Sequence, residues 1–503
     1  MLVPLAFQPG IWRNGTQYQA RGRWYDSNLM RWFEGTLRPW AGWSAFSAST
    51  VTGAPRRAMD WLDSSSLLWL MVGTHNHLYV FDRSGGMSDI TPAGLTAGRA
   101  DATNAAGYGN STYGTGTYGD PRSGSNILLP ATVWSLDTLE QTPIACNAED
   151  GKIYSWDLNT SHVAAQCSGS PTSCRGVCVT QEGFIFALGA GGDPRNIQWP
   201  DQSSTTSWTP SATNQARSYA LQTPGQLMCG LRTRSGTLLF TSTDVHLATY
   251  LGLPLVYSFQ VVGEDCGIIS QAGFATSGDL VAWMSLSGFW KYDGAVSAVE
   301  SDVGDYVFSR LNQTQRSKVW AIHNSTFGEF TWFYPSGTSV EIDSYVTWNY
   351  RENHWAIGSL VRLCGVEASL FTNPIMVDSS GASWTHETGF SYSGASTPYA
   401  ESGPIEVDQT AAGDVLNGLH NGTHVFDIVE MVPDSLTVGD VNATFYTRFF
   451  PTGPETTWGP YTMANPTGLR VSGREARMRL TAAAAADFRV GIPRLDFRMA
   501  GER

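Results

Sequence analysis

Charge is scarce in this chain. Only 15% of its 503 residues are Asp, Glu, Lys or Arg, which is low for a soluble enzyme of this length. Basic residues are the scarcer kind, 31 against 44, and the formal net charge is −13. That balance argues against a nucleic-acid reader that grips phosphates with a basic face. No apolar run approaches eighteen residues, so no membrane-crossing helix is expected. The opening MLVPLAFQPG lacks a basic stretch and a long apolar core, so it is not read as a secretory signal. Cysteine is sparse too, with Cys146, Cys167, Cys174, Cys178, Cys229, Cys266 and Cys364 making an odd number. They contain no Cys-x-x-Cys pair, and Cys174 and Cys178 have no His or second Cys pair nearby. They are expected to be mostly buried thiols of a protein folded in a reducing compartment. Triplets such as Asn312-Gln313-Thr314 are then composition and not glycosylation sites.

Signatures of chemistry are equally thin. There is no P-loop, no His-Glu-x-x-His and no G-x-S-x-G elbow. Gly114, Gly116 and Gly119 match G-x-G-x-x-G by letters, but the strand before and helix after that the motif requires are missing. His75 and His77 share a strand face without further ligands. Two carboxylate pairs, Glu264-Asp265 and Asp302/Asp305, are the candidates for acid/base work on a sugar, since some propellers are glycosidases. Asp beside Gly is more commonly a turn former. The expectation is therefore no catalytic residue, no metal ligand, no cofactor, and a chain that is not an enzyme.

What the chain does have is glycine (53) and aromatic residues (19 Trp, 19 Tyr, 22 Phe). From Gly236 to Gly294, short β-branched and aromatic runs are cut by Gly, Ser and Asp every eight to twelve residues, with no helical period. Leu238–Phe240, Val245–Ala248, Val256–Val262, Leu280–Met284 and Phe289–Tyr292 read as strands. The last closes on Asp293-Gly294. Variants of that closing phrase recur as Leu78-Tyr79-Val80-Phe81-Asp82 and Ile153-Tyr154-Ser155-Trp156-Asp157. Degenerate versions lie at Val346–Tyr350 and Ala382–His386. Propeller blades run roughly 40–50 residues, so the recurrence predicts an all-β chain with an irregular β-propeller of about six to eight blades over residues 46–399.

Two flanking segments differ in character. Residues 1–45 hold five Trp and five Arg against two acids. They are expected to form a docking arm that stacks by cation–π contact on another protein, completes a sheet, or packs on its own propeller. From residue 400, Val441–Phe449 and Glu475–Leu480 alternate apolar and polar as half-buried strands, and with Val425–Met431 and Phe488–Phe497 they predict a C-terminal β-sandwich over 400–503. Thr481–Phe488 is the only helix-like run, a single turn or a loop. Within the propeller, residues 105–125 repeat Tyr-Gly pairs and are expected to form an adaptable contact loop. The middle of the chain carries most of the negative charge.

In order along the chain, PGI-x3-GTxY-x2-RGRWYD-x2-LMRWFEG-x6-GW (residues 9–43), VGT-x3-LYVFD…DITP (72–92), the Tyr-Gly insertion, GTLLFTSTDVHLATYLGLP, EDCGIIS, WMSLSGFWKYDG, NYRENHWAIG, RFFPTGPETTWGPY, SGREARMRL and FRVGIPRLDF cover most of its length. Together they resemble the nozzle, or tail-stabilisation, proteins of short-tailed bacteriophages. The resemblance implies a virion structural protein assembled in the bacterial cytoplasm as a homo-oligomeric ring, typically six copies. Its neighbours would be the portal or adaptor and tail fibres or other tail proteins. Genomic DNA would be retained and then conducted through the lumen without specific binding. The competing expectation is a receptor- or glycan-binding, or glycan-cleaving, propeller on a virion or bacterial surface; a tail hub is a third.

Overall fold

The computed structural model describes residues 2–107, 122–395, 397–406, 424–436, 439–450 and 453–502. The G-x-G-x-x-G letters and most of the Tyr-Gly insertion lie outside the described residues. The fold is all-β and propeller-like. Seven four-stranded antiparallel sheets follow one another, six of them simple meanders in chain order. Their first strands are Pro55–Leu62, Trp134–Leu139, Gly176–Val179, Leu227–Thr233, Phe274–Ser277, Trp320–Asn324 and Cys364–Val366. These first strands neighbour one another around an inner ring, the seventh returning to the first. The fourth and fifth sheets meet through a shared cluster that includes Phe240, Cys266, Val281 and Trp283.

The closing phrase has a single structural meaning. Leu78–Asp82, Ile153–Ser155, Phe289–Tyr292, Ser344–Asn349 and Ala382–His386 are each the third strand of their sheet. Each is followed by the turn that leads to an outer strand or, in the last case, away from the ring. In the seventh sheet the fourth strand is Trp43–Thr50, from near the N-terminus, paired antiparallel with Ala382–His386. That pairing closes the ring between chain segments more than 300 residues apart.

Two further sheets gather the C-terminal residues. One has four strands and contains Leu2–Pro4, Arg494–Glu502, His424–Val432 and Thr467–Gly473. The other has six and contains Gln8–Ile11, Arg23–Asn28, Tyr399–Ser402, Glu475–Ala482, Val441–Arg448 and Thr456–Thr462. Alternation is strict in Val441–Arg448, where Val441, Ala443, Phe445 and Thr447 are buried. Residues 2–28 thus complete sheets of their own chain. Leu2 pairs with Asp496, and Trp24 with Ser402. One apolar cluster runs from Phe426, Phe445 and Phe497 through Trp32 to Trp332 and Trp355, so these sheets and the ring share a core.

Three local expectations are corrected. Gly304–Arg310 is an α-helix, missed because Gly304 and Asp305 read as a turn. Its apolar side, Val303, Val307 and Leu311, enters the shared core. Thr481–Phe488 ends a strand and continues as bends. The last strand begins at Arg494 and not at Phe488, because Pro493 has no N–H to give a ladder. All seven cysteines are buried and unpaired.

The closure yields a test. Gly381 has φ +81°, and a Cβ there would lie 2.2 Å from the carbonyl oxygen of Val51, just past the closing strand. Gly278 has φ +62° with nothing within 4 Å. Ala at Gly278 should cost only the left-handed backbone penalty, about 1–2 kcal/mol. Gly381→Ala should cost measurably more, read as a larger drop in the urea midpoint.

Candidate functional site

A small part-open cleft lies between the sixth and seventh sheets and the N-terminal hairpin Met30–Phe33/Thr36–Pro39. Its floor carries charge. Arg31 and Glu329 each keep only 3% of their side-chain surface, and Arg31 Nη2 lies 3.2 Å from Glu329 Oε2. The same nitrogen donates to Glu387 Oε1 at 2.6 Å. Glu387 follows the strand Ala382–His386 with φ +56°, a conformation that costs a non-glycine residue free energy. It is held there by Asn324 Nδ2, donating to Oε1 at 3.1 Å, and by the N–H of Ala41 on Oε2 at 3.3 Å. The guanidinium lies 3.8 Å from the ring centroid of Phe327 and 5.3 Å from that of Trp40.

Three ionisable groups around the cleft are displaced from their ordinary values. Burial pushes Glu329 up to about 7, against the pull of Arg31, and Glu387 adds repulsion. Burial also holds His386 well below the usual imidazole value, helped by Arg362. Arg362 donates from Nε to His386 Nε2 at 2.8 Å, and burial brings its guanidinium down to about 10. The Nε of Arg31 and Nε1 of Trp40 are buried without an acceptor among the described residues. One cation between two carboxylates can exchange a proton near neutral pH. Because both partners are so deeply buried, its first effect is mechanical: it clasps the N-terminal hairpin to two sheets of the ring.

A second polar group lines the inner ring. Asp137 on the second sheet accepts from Arg232 Nη2 of the fourth at 2.6 Å and from the N–H of Val179 of the third at 2.7 Å. On the sixth sheet, His323 Nδ1 lies 3.0 Å from Glu367 Oε2 and Nε2 lies 3.3 Å from the Tyr350 hydroxyl. Tyr350 in turn meets Ser277 of the fifth sheet at 2.9 Å. Burial pushes Asp60, on the first sheet, up to about 6, and Glu367 adds to it.

A third feature is an apolar projection. The hairpin Val245–Gly252/Val256–Gly263 forms the outer half of the fourth sheet. From Leu247 to Gly263 it has no Asp, Glu, Lys or Arg. At its tip Leu251, Leu253 and Leu255 are 55%, 62% and 68% exposed.

The residues weighed from sequence lie elsewhere. Glu264 and Asp265 are exposed, with Asp265 in a left-handed turn. Asp302 pairs with Arg23 at 2.9 Å, and Asp305 starts the helix, its N–H donating to Asn14. His75 Nδ1 accepts from the N–H of Ala54, while His77 stacks on Tyr79. Among the described residues no group of three or more His, Cys, Asp or Glu could hold a metal. Sequence reasoning did not find Arg31, Glu329 and Glu387. The Arg-aromatic composition of residues 1–45 was the only signal, and it marks the cation but not its partners.

No family model matches the chain, and no curated protein is similar to it. Among solved structures it is similar to virginiamycin B lyase from Staphylococcus aureus, with 6% identity and a TM-score of 0.43 over 68% of this chain and 97% of the lyase. It is also similar to a streptogramin B lyase, with 8% identity and a TM-score of 0.42 over 68% of this chain and 96% of the other. This finding runs against the expectation that the chain is not an enzyme, since both similar proteins are lyases by name. At these scores the likeness carries no activity, substrate or residue to this chain.

The clasp predicts a pH dependence. Glu329 binds its proton more tightly folded than unfolded, where a glutamate titrates near 4.5. Its contribution to stability is therefore fully present below about 4.5 and is lost as pH rises to about 7. Urea midpoints at pH 5 and pH 7.5 should differ in the wild type by a loss on the order of 1–3 kcal/mol. Glu329→Gln should lessen that difference.

Proposed function

We propose that the chain is a structural subunit of a short-tailed phage tail, a nozzle or hub ring of several copies that retains the genome and conducts it at ejection. The resemblance of its motifs to that family supports the reading and makes six copies the expected number. The structural observation that carries it is the uncharged hairpin ending in Leu251, Leu253 and Leu255, whose exposed aliphatic surface suits burial against another subunit. Phe449 and Phe450 are also about half exposed, on a hairpin of the C-terminal sheets. We read those two sheets as one sandwich fastened to the propeller by residues 1–45. The net charge of −13 suits a conduit wall, since like charge removes the counterion release that would hold DNA.

One observation favours a second reading, glycan binding or cleavage. Two carboxyl groups of the cleft meet at a single guanidinium nitrogen, and one of them titrates near neutrality.

Native mass spectrometry and cryo-electron microscopy of the assembled protein discriminate between the two. The tail reading expects a closed ring on the tail axis, and Leu253→Ser with Leu255→Ser should weaken its assembly while leaving the circular dichroism of the subunit unchanged. A monomer that binds or cleaves oligosaccharide would overturn it.

A further inference from the structure

Arg57 stands apart from the other enclosed arginines. It lies on the first strand of the first sheet, Pro55–Leu62, where it pairs across the ladder with Gly73. Its guanidinium carbon is 5.7 Å from the ring centroid of Phe274, on the first strand of the fifth sheet. Asp137 of the second sheet, Cys229 of the fourth and Cys364 of the seventh act on its charge. Groups from four other sheets surround one side chain only where the inner strands converge, so Arg57 occupies the axis of the ring.

No carboxylate of the described residues contacts that cation. Among the described residues nothing accepts a hydrogen bond from Arg57 or forms an ion pair with it. The contrast with its neighbour is direct: Arg56 is held by both oxygens of Glu341, at 2.6 and 3.1 Å. Asp137 is already engaged by Arg232, Thr138 and Val179. Cys229 and Cys364 are pushed by burial up to about 12, so both stay as neutral thiols. Arg57 thus remains a cation that no contact neutralises, inside a chain of net charge −13. Burial lowers the Arg57 pKa, the signature of a charge that pays for desolvation without a partner. Yet Arg57 is only half-buried, so solvent and solutes reach it.

We infer that the axial space at Arg57 is a binding site for a small oxyanion, a carboxylate or a phosphate group. The planar guanidinium offers a fork of N–H donors that matches two oxygens of such a group, and the face of Phe274 leaves that fork free. The sheets packed around it lower the local dielectric and strengthen the attraction over its value in water. The inference does not depend on the tail reading.

The test uses the full chain and two probes, inorganic phosphate and acetate, titrated separately by calorimetry in a low-chloride buffer. The expected result is saturable binding of at least one anion, one per chain. The identity of that anion assigns the site to phosphates or to carboxylates. Arg57→Met should weaken it by about tenfold or more, the loss of a charge-assisted pair. Arg57→Lys, a point charge without the fork, should fall between. Arg57→Met removes an unpaired enclosed charge and is expected to fold, and Arg57→Gln provides a second neutral variant. No saturable binding of either anion by the wild type, or equal binding by the neutral variants, would overturn the site.

Discussion

The pairing of Trp43–Thr50 with Ala382–His386 is the contact on which the rest depends. Each sheet of the ring is apolar on both faces, as the clusters between successive sheets show, the one between the fifth and sixth being shared with the C-terminal sheets. An open row of such sheets would leave two apolar faces in water at its ends. Closing the row buries both, and the chain does it by lending an early strand to the last sheet. Ring closure therefore forms only after residue 386 exists, which fixes both ends of the ring in one cooperative unit. The segment before the closing strand is drawn in by the same geometry, since residues 2–28 emerge beside the C-terminal sheets and complete them.

The Arg31 clasp follows from that closure. A hairpin immediately preceding the closing strand must lie across the sixth and seventh sheets, and there it brings a cation against Glu329 and Glu387. A buried ion group of this kind is weak support for stability in itself, because desolvation offsets much of the attraction. Its value lies in direction. A hairpin packed only by Trp32 and Trp40 could slide, whereas one guanidinium nitrogen shared between two carboxylates fixes where it sits.

How much of this was legible in the sequence depended on range. The third strands were legible because an aromatic run against a polar turn is a local signal: all five phrases fall on third strands. The third and fourth sheets lack the phrase at Asn196–Trp199 and Val245–Gly252; the strands of the fourth were read without it, from their β-branched runs and turns, whereas nothing local marked the third. The helix Gly304–Arg310 was hidden by its own first turn. Partners hundreds of residues apart, such as Leu2 with Asp496 or Arg31 with Glu329, leave no local trace. Of the cleft, only the cation-rich character of residues 1–45 could be read. Nothing local sets Arg57 apart from Arg56, because the lack of a contacting carboxylate is a property of three dimensions.

The axis also constrains the proposed function. A ring of subunits that conducts DNA has two kinds of opening, the lumen enclosed by the copies and the axis of each propeller. The second is crossed by Arg57 over Phe274 and bounded by the Asp137–Arg232 pair, so it offers no passage to a duplex. Arg57, which no contact neutralises, would also hold phosphates by releasing their counterions where a polyanion must slide. In the tail reading the conduit is then the space between copies, and the propeller serves as a rigid spacer. The uncharged hairpin of the fourth sheet fits that division of labour. It extends from the rim of the propeller, away from the axis, where one copy would meet the next.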